Sequence, residues 1–379
     1  MKTLLFIIPS LKTGGTNASL DALYSHLKED YNISVFAISH QPRDHNYLFD
    51  EVLMPQDGVL SLLYSDYSKQ KGIHKLYAFF CKILQSLLRI VGVDLGMFYA
   101  RRVIKRLENQ NHYNHIVAYQ EGYATKFSSL FSNPNKIAWI HCNYDTYLPQ
   151  GKSEEAIYNR FEKIVCVSEY TASVFKRRYP ALSEKVLAIH NMIDEERIKK
   201  LAETQIDDSR FVTNITALLS AGRFSTVKRF RDIPRVALEL KKRGLQFVWY
   251  ILGPQDGSNE YAAFWANMEK YGVQDCVKWL GGKSNPYPYF KASDVYVCLS
   301  ESEACPMVFK EAKMFGLPIV TTDFPSAYEF IHEKEGVITT IEELPLAITK
   351  VVELTINNTI LFNEIDEQSV IQRLKTLFD

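Results

Sequence analysis

The feature that most constrains this chain is an alternation that runs through the first half and then begins again. "TLLFIIP" (3–9) is a continuous apolar run, "LKTGGT" (11–16) a glycine turn, and "NASLDALYSHLKE" (17–29) has helical spacing. "ISVFAIS", "HIVAY", "KIAWIH", "KIVCVS" and "KVLAIHN" repeat the strand signal, with helical patterns between them. Apolar runs without a polar face suit parallel strands covered on both sides. Several βα units in succession predict an open parallel sheet with helices on both faces.

The second half restarts at "TNITALLSAGR" (213–223). "DIPRVALELKKRG" is an amphipathic helix ending at Gly244, and "FVWYILG", "CVKWLGG", "VYVCLS" and "PIVTTD" continue the strands. The polar stretch Glu195–Ser209 reads as a linker with a short helix. The expected organisation is therefore an α/β chain of two Rossmann-like parallel-sheet domains, 1–194 and 195–360. The final helix, 361–379, has no strand after it and is free to pack back on the first domain. A length of 379 residues suits two such domains.

Lys plus Arg (44) equals Asp plus Glu (44), so no global charge favours nucleic acid or a membrane. The six cysteines form no C-x-x-C pair, which argues for thiols in a reducing compartment. "MKTLLFIIPSLKTGG" is a first strand rather than a signal peptide, because Pro9 interrupts a short apolar run and no cleavage site follows. No transmembrane helix is expected. One segment departs from neutrality. Between 65 and 110, nine cations face three acids, a net +6, interleaved with apolar and aromatic residues. That composition fits a helix pair attached to an anionic membrane surface, or a core-packing pair with a solvated basic face.

In the stretch 300–316, "SESEACPMVFKEAKMFG", Pro306 suits the first helical position and Gly316 the position after the last turn. At the helical period Glu311 falls inside the arc of Met307, Val308, Ala312, Met314 and Phe315, with Lys310 and Lys313 opposite. An inward carboxylate needs hydrogen-bond partners, either a core salt bridge or a ligand with paired hydroxyls such as a ribose. Glu303 precedes this helix, whose first N–H groups favour negative charge. A helix start beside two carboxylates suits a sugar nucleotide. Gly14 and Gly15 follow the first strand, where glycines let backbone N–H groups approach a phosphate or sugar. No metal motif is evident: there is no H-E-x-x-H, Cys/His cluster or D-x-D.

Glu303-ACPMVFK-Glu311, after a strand and before "GLPIVTTD", resembles the E-x7-E signature of retaining GT-B glycosyltransferases of the GT4 type, glycosyltransferase group 1. "SAGRFSTVKRF" resembles that family's glycine–arginine then lysine pattern at Gly222, Arg223 and Lys228. "LGGKSNPYPYFKASDVYVCLSESE" is similar to its approach to the E-x7-E helix, in the form of bacterial surface-polysaccharide enzymes. "AIHNMID" and "SLKTGGTNASL" resemble the linker entry and the N-terminal glycine loop. The likeness is strong over 186–336 and weak over 41–114.

The resemblance implies a GT-B fold, its two domains facing across a cleft, with a nucleotide-sugar donor on the second and a glycan or lipid-linked acceptor on the first. It implies that Arg223 and Lys228 meet the leaving diphosphate, where preorganised cations stabilise growing charge. Glu303 becomes the donor-sugar contact together with the backbone of Ala304, Cys305, Pro306 and Met307, of which Pro306 lacks an N–H, and Lys283 and Ser284 lie where the family binds the base. His141, ending "KIAWIH", corresponds to a histidine facing the donor sugar, and Glu121 is a second strand-end candidate. Transfer is expected without a metal or other cofactor, in the cytoplasm or on the inner face of the membrane. The family's acidic–basic pair after the glycines is replaced by Thr16, Asn17 and Ala18, and its glycine–phenylalanine after the first glutamate by Ala304 and Cys305. These departures motivate a second reading, a non-catalytic sugar-nucleotide-binding subunit; a third is a GT-B-fold sugar-nucleotide epimerase.

Overall fold

The structure, a computed structural model, describes residues 1–12, 14–39, 47–55, 59–64, 72–212, 215–255, 259–332, 334–356 and 367–379. It divides into two compact units, Met1–Met192 with Gln368–Asp379, and Ile193–Glu367.

The first unit is built on seven parallel strands: β1 (Thr3–Ile8), β2 (Asn32–Ala37), β3 (Glu51–Leu53), β4 (His115–Ala118), β5 (Lys136–Ile140), β6 (Lys163–Cys166) and β7 (Val186–Ala188). Their order is β3-β2-β1-β4-β5-β6-β7. Leu4 to Ile8 are all fully buried, as a strand covered on both faces requires. Each such side chain contributes about 1.5–3 kcal/mol. The last helix, Glu367–Phe378, belongs almost wholly to this unit. Val370, Leu374 and Phe378 recur every fourth residue, so one stripe of that helix is buried. The Phe378 ring meets Phe6, Tyr31 and His115 edge-on at 6.2, 5.7 and 5.9 Å. Lys2 Nζ donates to the Phe378 carbonyl at 3.1 Å, closing the chain's two ends on each other.

The second unit has six parallel strands: β8 (Thr216–Ala221), β9 (Phe247–Leu252), β10 (Val277–Gly281), β11 (Val295–Cys298), β12 (Ile319–Thr322) and β13 (Gly336–Thr339), in the order β10-β9-β8-β11-β12-β13. Alternation along the strands builds two cores. Leu218, Trp249, Ile251, Val295 and Val297 pack on one face, and Leu219, Tyr250, Leu252, Tyr296 and Cys298 on the other. The polar atoms within are satisfied: Trp249 Nε1 donates to Ser220 Oγ at 3.0 Å, and Ser220 Oγ donates to the Val297 carbonyl at 2.6 Å.

The sequence signals find eleven of these strands; β3 and β13 escape them. Both are short edge strands without a fully buried residue, so no apolar run marks them. Of the cationic residues in 65–110, Lys69 and Lys71, and the Arg89 side chain, lie outside what is described.

Candidate active site

In the second sheet the strand order reverses between β8 and β11, and ligands of open α/β sheets bind beyond the strand ends at such a point. Gly222 leaves β8 there. Its N–H donates to the Leu252 carbonyl at 2.8 Å, and its φ of 154° is one that other residues rarely adopt. A Cβ on the neighbouring Gly253 would lie 2.1 Å from the Gly222 carbonyl oxygen, so the loops after β8 and β9 touch only because residue 253 is glycine. A 3-10 turn, Thr226–Lys228, follows, and Arg229 ends it in left-handed backbone at φ 53°. This turn brings Lys228 back beneath Gly222, with Cε 3.3 Å from where a Cβ would stand.

Lys228 Nζ reaches Glu303 Oε1 at 2.5 Å, and Ser300 Oγ donates to the same oxygen at 2.7 Å. Ser326 Oγ donates to the Glu303 carbonyl at 2.6 Å, and the Glu301 N–H donates to the Val227 carbonyl at 2.8 Å. The loops after β8, β11 and β12 are thereby tied around one ion pair. Burial works against the Lys228 ammonium, but the Glu303 carboxylate outweighs it and holds the amine above its ordinary pKa. Arg223 is exposed and has no ion-pair partner among the described residues, so its guanidinium is available to an anion.

The helix after Glu303 spans Met307–Met314, with Pro306 as its N-cap, one position earlier than expected. Gly316 follows the last turn at φ 68°. The expected face is corrected. Phe309 and Ala312 form the buried core face, and Glu311 stands about 100° from Ala312 and 200° from Phe309. Glu311 is half-buried and accepts a long hydrogen bond, 3.4 Å, from Tyr287 Oη. Burial pushes its carboxyl up to about 7, with Tyr287 and the Lys228 charge acting the other way. Lys310, expected in solvent, is buried against Glu367 at 2.8 Å. Both sides of this helix are covered, which a single apolar arc does not reveal.

Ala304, Cys305 and Met307 are half-buried at this helix start, while Ser284 is exposed. Lys283 does not join the Lys228 cluster. It pairs with Asp208 at 2.8 Å and lies over the Tyr289 ring at 5.2 Å. Arg210, then Lys283, hold the Asp208 carboxyl well below the usual range. Asp208 carried no signal in the sequence; Tyr287 lay within the N-P-Y-P-Y string but without a role.

In the first unit, Gly14 caps the helix Gly15–Leu27 in extended backbone. A Cβ on Gly14 or Gly15 would meet nothing within 4 Å, so the fold itself does not demand glycine there. Asn17 proves structural: its Nδ2 donates to the Ser10 and Lys12 carbonyls, both at 2.8 Å, and holds the loop after β1. Beyond β4 and β5 the structure joins the two strand-end candidates, since the His141 N–H donates to Glu121 Oε2 at 2.9 Å. Burial raises the Glu121 carboxyl and lowers the His141 imidazole to about 3. Both His141 ring nitrogens are buried without a hydrogen-bond partner, and the ring lies 4.8 Å from that of Tyr119. A neutral imidazole held in this way offers one donor and one acceptor to a hydroxyl.

The second unit thus places two cations and two carboxylates at a Rossmann switch point. Residues 202–369 match the family described as "Glycosyl transferases group 1". The match falls almost wholly within the second unit, which is therefore similar to that family's domain. An "Uncharacterized glycosyltransferase" of Haemophilus influenzae is 24% identical over 245 residues, 62% of this chain and 64% of that protein. The "Amylovoran biosynthesis glycosyltransferase AmsD" of Erwinia amylovora is 23% identical over 185 residues, 48% of this chain and 49% of that protein. These matches span about half to just under two thirds of the relatives' length. HepE of Anabaena, solved with UDP and glucose, superposes with a TM-score of 0.65 at 16% identity over 99% of both chains. The likeness shows the fold, two parallel-sheet α/β units of the GT-B kind.

Proposed function

We propose that this chain is a retaining glycosyltransferase. It moves a sugar from a UDP- or GDP-sugar to a hydroxyl of a glycan or lipid-linked glycan in surface-polysaccharide synthesis, at the inner face of the membrane. The observation that carries the reading is the Lys228–Glu303 pair at the switch point with Arg223 exposed on the same loop. HepE, solved with UDP and glucose, and AmsD, named for amylovoran biosynthesis, support the donor class and the pathway class.

In this reading Arg223 and Lys228 hold the diphosphate, Glu303 contacts the donor sugar, and Glu311 accepts from the ribose diol. Gly222 and the backbone of Ala304, Cys305 and Met307 border the phosphate. His141 and Glu121, with the Gly14–Gly15 loop, serve the first unit's share of the substrates. The bond from the anomeric carbon to the β-phosphate oxygen breaks while the acceptor oxygen bonds to the same face. The acceptor proton passes to the departing phosphate. The two cations balance the charge on the leaving group, so the proposed transfer needs no metal.

The test is incubation with UDP- and GDP-sugars, with and without chelator and acceptor. Slow release of nucleoside diphosphate, accelerated by acceptor and indifferent to chelator, is expected. Binding without turnover would instead identify a sugar-nucleotide-binding subunit, and an altered sugar an epimerase.

A further inference from the structure

The helix Gly72–Ile90 in the first unit is amphipathic in the wrong sense for a core element. Ile73, Leu76, Phe80, Leu84 and Leu87 recur at spacings of three and four, one continuous stripe, and all are exposed, Ile73 at 76% and Phe80 at 66%. Ala78 is the one buried side chain among those described on this helix. The stripe runs on into the turn, where Ile90 is 81% exposed. An apolar surface of this extent on a soluble chain marks a docking face.

The next helix, Leu95–Gln110, differs. Ala100, Val103, Ile104 and Leu107 join the core that holds Phe127 and Phe131, so this helix is anchored. Its opposite face presents Arg101, Arg102 and Lys105 to solvent. The chain as a whole is neutral, but this region carries a net +6. A long helix lying along the surface with an apolar stripe, beside an anchored helix with a cationic face, has the two features that bind an anionic bilayer. No described helix is long and apolar enough to cross a membrane, so the contact is an interfacial one.

We propose that the Gly72–Ile90 helix inserts its apolar stripe into the acyl boundary of an anionic bilayer, while Arg101, Arg102 and Lys105 engage lipid phosphates. The inference deepens the proposed reaction by naming the surface that meets a lipid-linked acceptor, and it rests on that reading only for the acceptor. Vesicle binding needs no donor, so its failure and the failure of donor turnover are separately visible in one preparation.

The experiment is flotation of the full chain with vesicles of phosphatidylcholine alone, or of phosphatidylcholine and phosphatidylglycerol in equal parts. The chain should float with the anionic vesicles. The triple change Leu76→Ser, Phe80→Ser, Leu84→Ser should abolish flotation. The triple change Arg101→Gln, Arg102→Gln, Lys105→Gln should weaken anionic partitioning on the order of a hundredfold, at roughly fivefold per charge. All the substituted side chains are exposed, so thermal midpoint and nucleotide binding should be unchanged. Absence of flotation with either vesicle overturns the proposal. So does a dimer that the serine variant converts to a monomer without any vesicle binding, which would make the stripe an interface between copies. Equal flotation with both vesicles, insensitive to the glutamine variant, overturns the anionic assignment.

Discussion

Lys228 Nζ and Glu303 Oε1 lie 2.5 Å apart although 75 positions separate the residues. The pair joins the loop after β8 to the loop after β11, the two strands at which the sheet order reverses. One partner neutralises the other in the free protein, so in the proposed reaction an arriving diphosphate would exchange one carboxylate for another anion and would not meet a bare buried ammonium.

Removing either partner tests this exchange. Lys228→Ala leaves Glu303 with Ser300 alone and is expected to lower turnover by about 10²–10³. It should also cost about 1.5–3 kcal/mol in the second unit's stability. Glu303→Gln should lose turnover similarly, and the double variant should lose less than the product of the two, because the residues act together. Arg223→Ala removes an exposed group and should leave the thermal midpoint unchanged while turnover falls. Near-wild-type rates in all these variants would remove the pair from the reaction.

The two shifted groups predict opposite pH trends. Glu311 rises from 4.5 to about 7, so the folded second unit keeps a proton that the unfolded chain has released. That contribution is full below about 4.5 and is lost as pH rises through 7, and Glu311→Gln should flatten it. His141 falls from 6.5 to about 3, so its contribution to the first unit is present above 6.5 and is lost as pH falls towards 3. Thermal melts resolved by unit, from about pH 4 to 8, check both. If Glu311 accepts from a ribose diol, nucleotide affinity should increase on the order of tenfold between about pH 6 and pH 8. Calorimetric titration on wild type and Glu311→Gln would show it.

Glycine substitutions separate fold from ligand. Gly253→Ala places a Cβ 2.1 Å from the Gly222 carbonyl, backbone that cannot swing away, and should destabilise the second unit by about 2–4 kcal/mol. Gly14→Ala meets nothing within 4 Å in an extended backbone, so its stability should stay within about 0.5 kcal/mol of wild type. A fall in turnover with Gly14→Ala, at an unchanged melting midpoint, would assign that loop to a ligand. Wild-type turnover would leave it without a role.

The last helix is structural. Phe378→Ala removes a fully buried ring from contact with Phe6, Tyr31 and His115 and should cost about 3–5 kcal/mol in the first unit. Denaturant unfolding followed by unit is the measurement, and an unchanged first transition would contradict it.

Much of this architecture was legible because local signals and tertiary role coincide. Buried parallel strands are apolar on both faces, so β1, β5 and β9 announce themselves, whereas β3 and β13 do not. The candidate residues were legible where their spacing is short, as at Glu303 and Glu311 on either side of one helix start. The partner of Lys283 was not, because Asp208 is 75 positions away in a segment without periodicity.

By itself, then, the sequence determined the alternation of strand and helix, the restart in its second half and the residue types gathered at strand ends, all of which follow from periodicity and turn chemistry over a few residues. The tertiary structure alone decided which of those residues meet. It paired Lys228 with Glu303, Lys283 with Asp208, Glu121 with His141 and Lys310 with Glu367, and it set the half-buried Glu311 carboxylate against Tyr287. The reason is physical. Strand order sets which loop ends are neighbours, and the helix arc that is buried depends on what covers it from outside, neither of which is written in any local period.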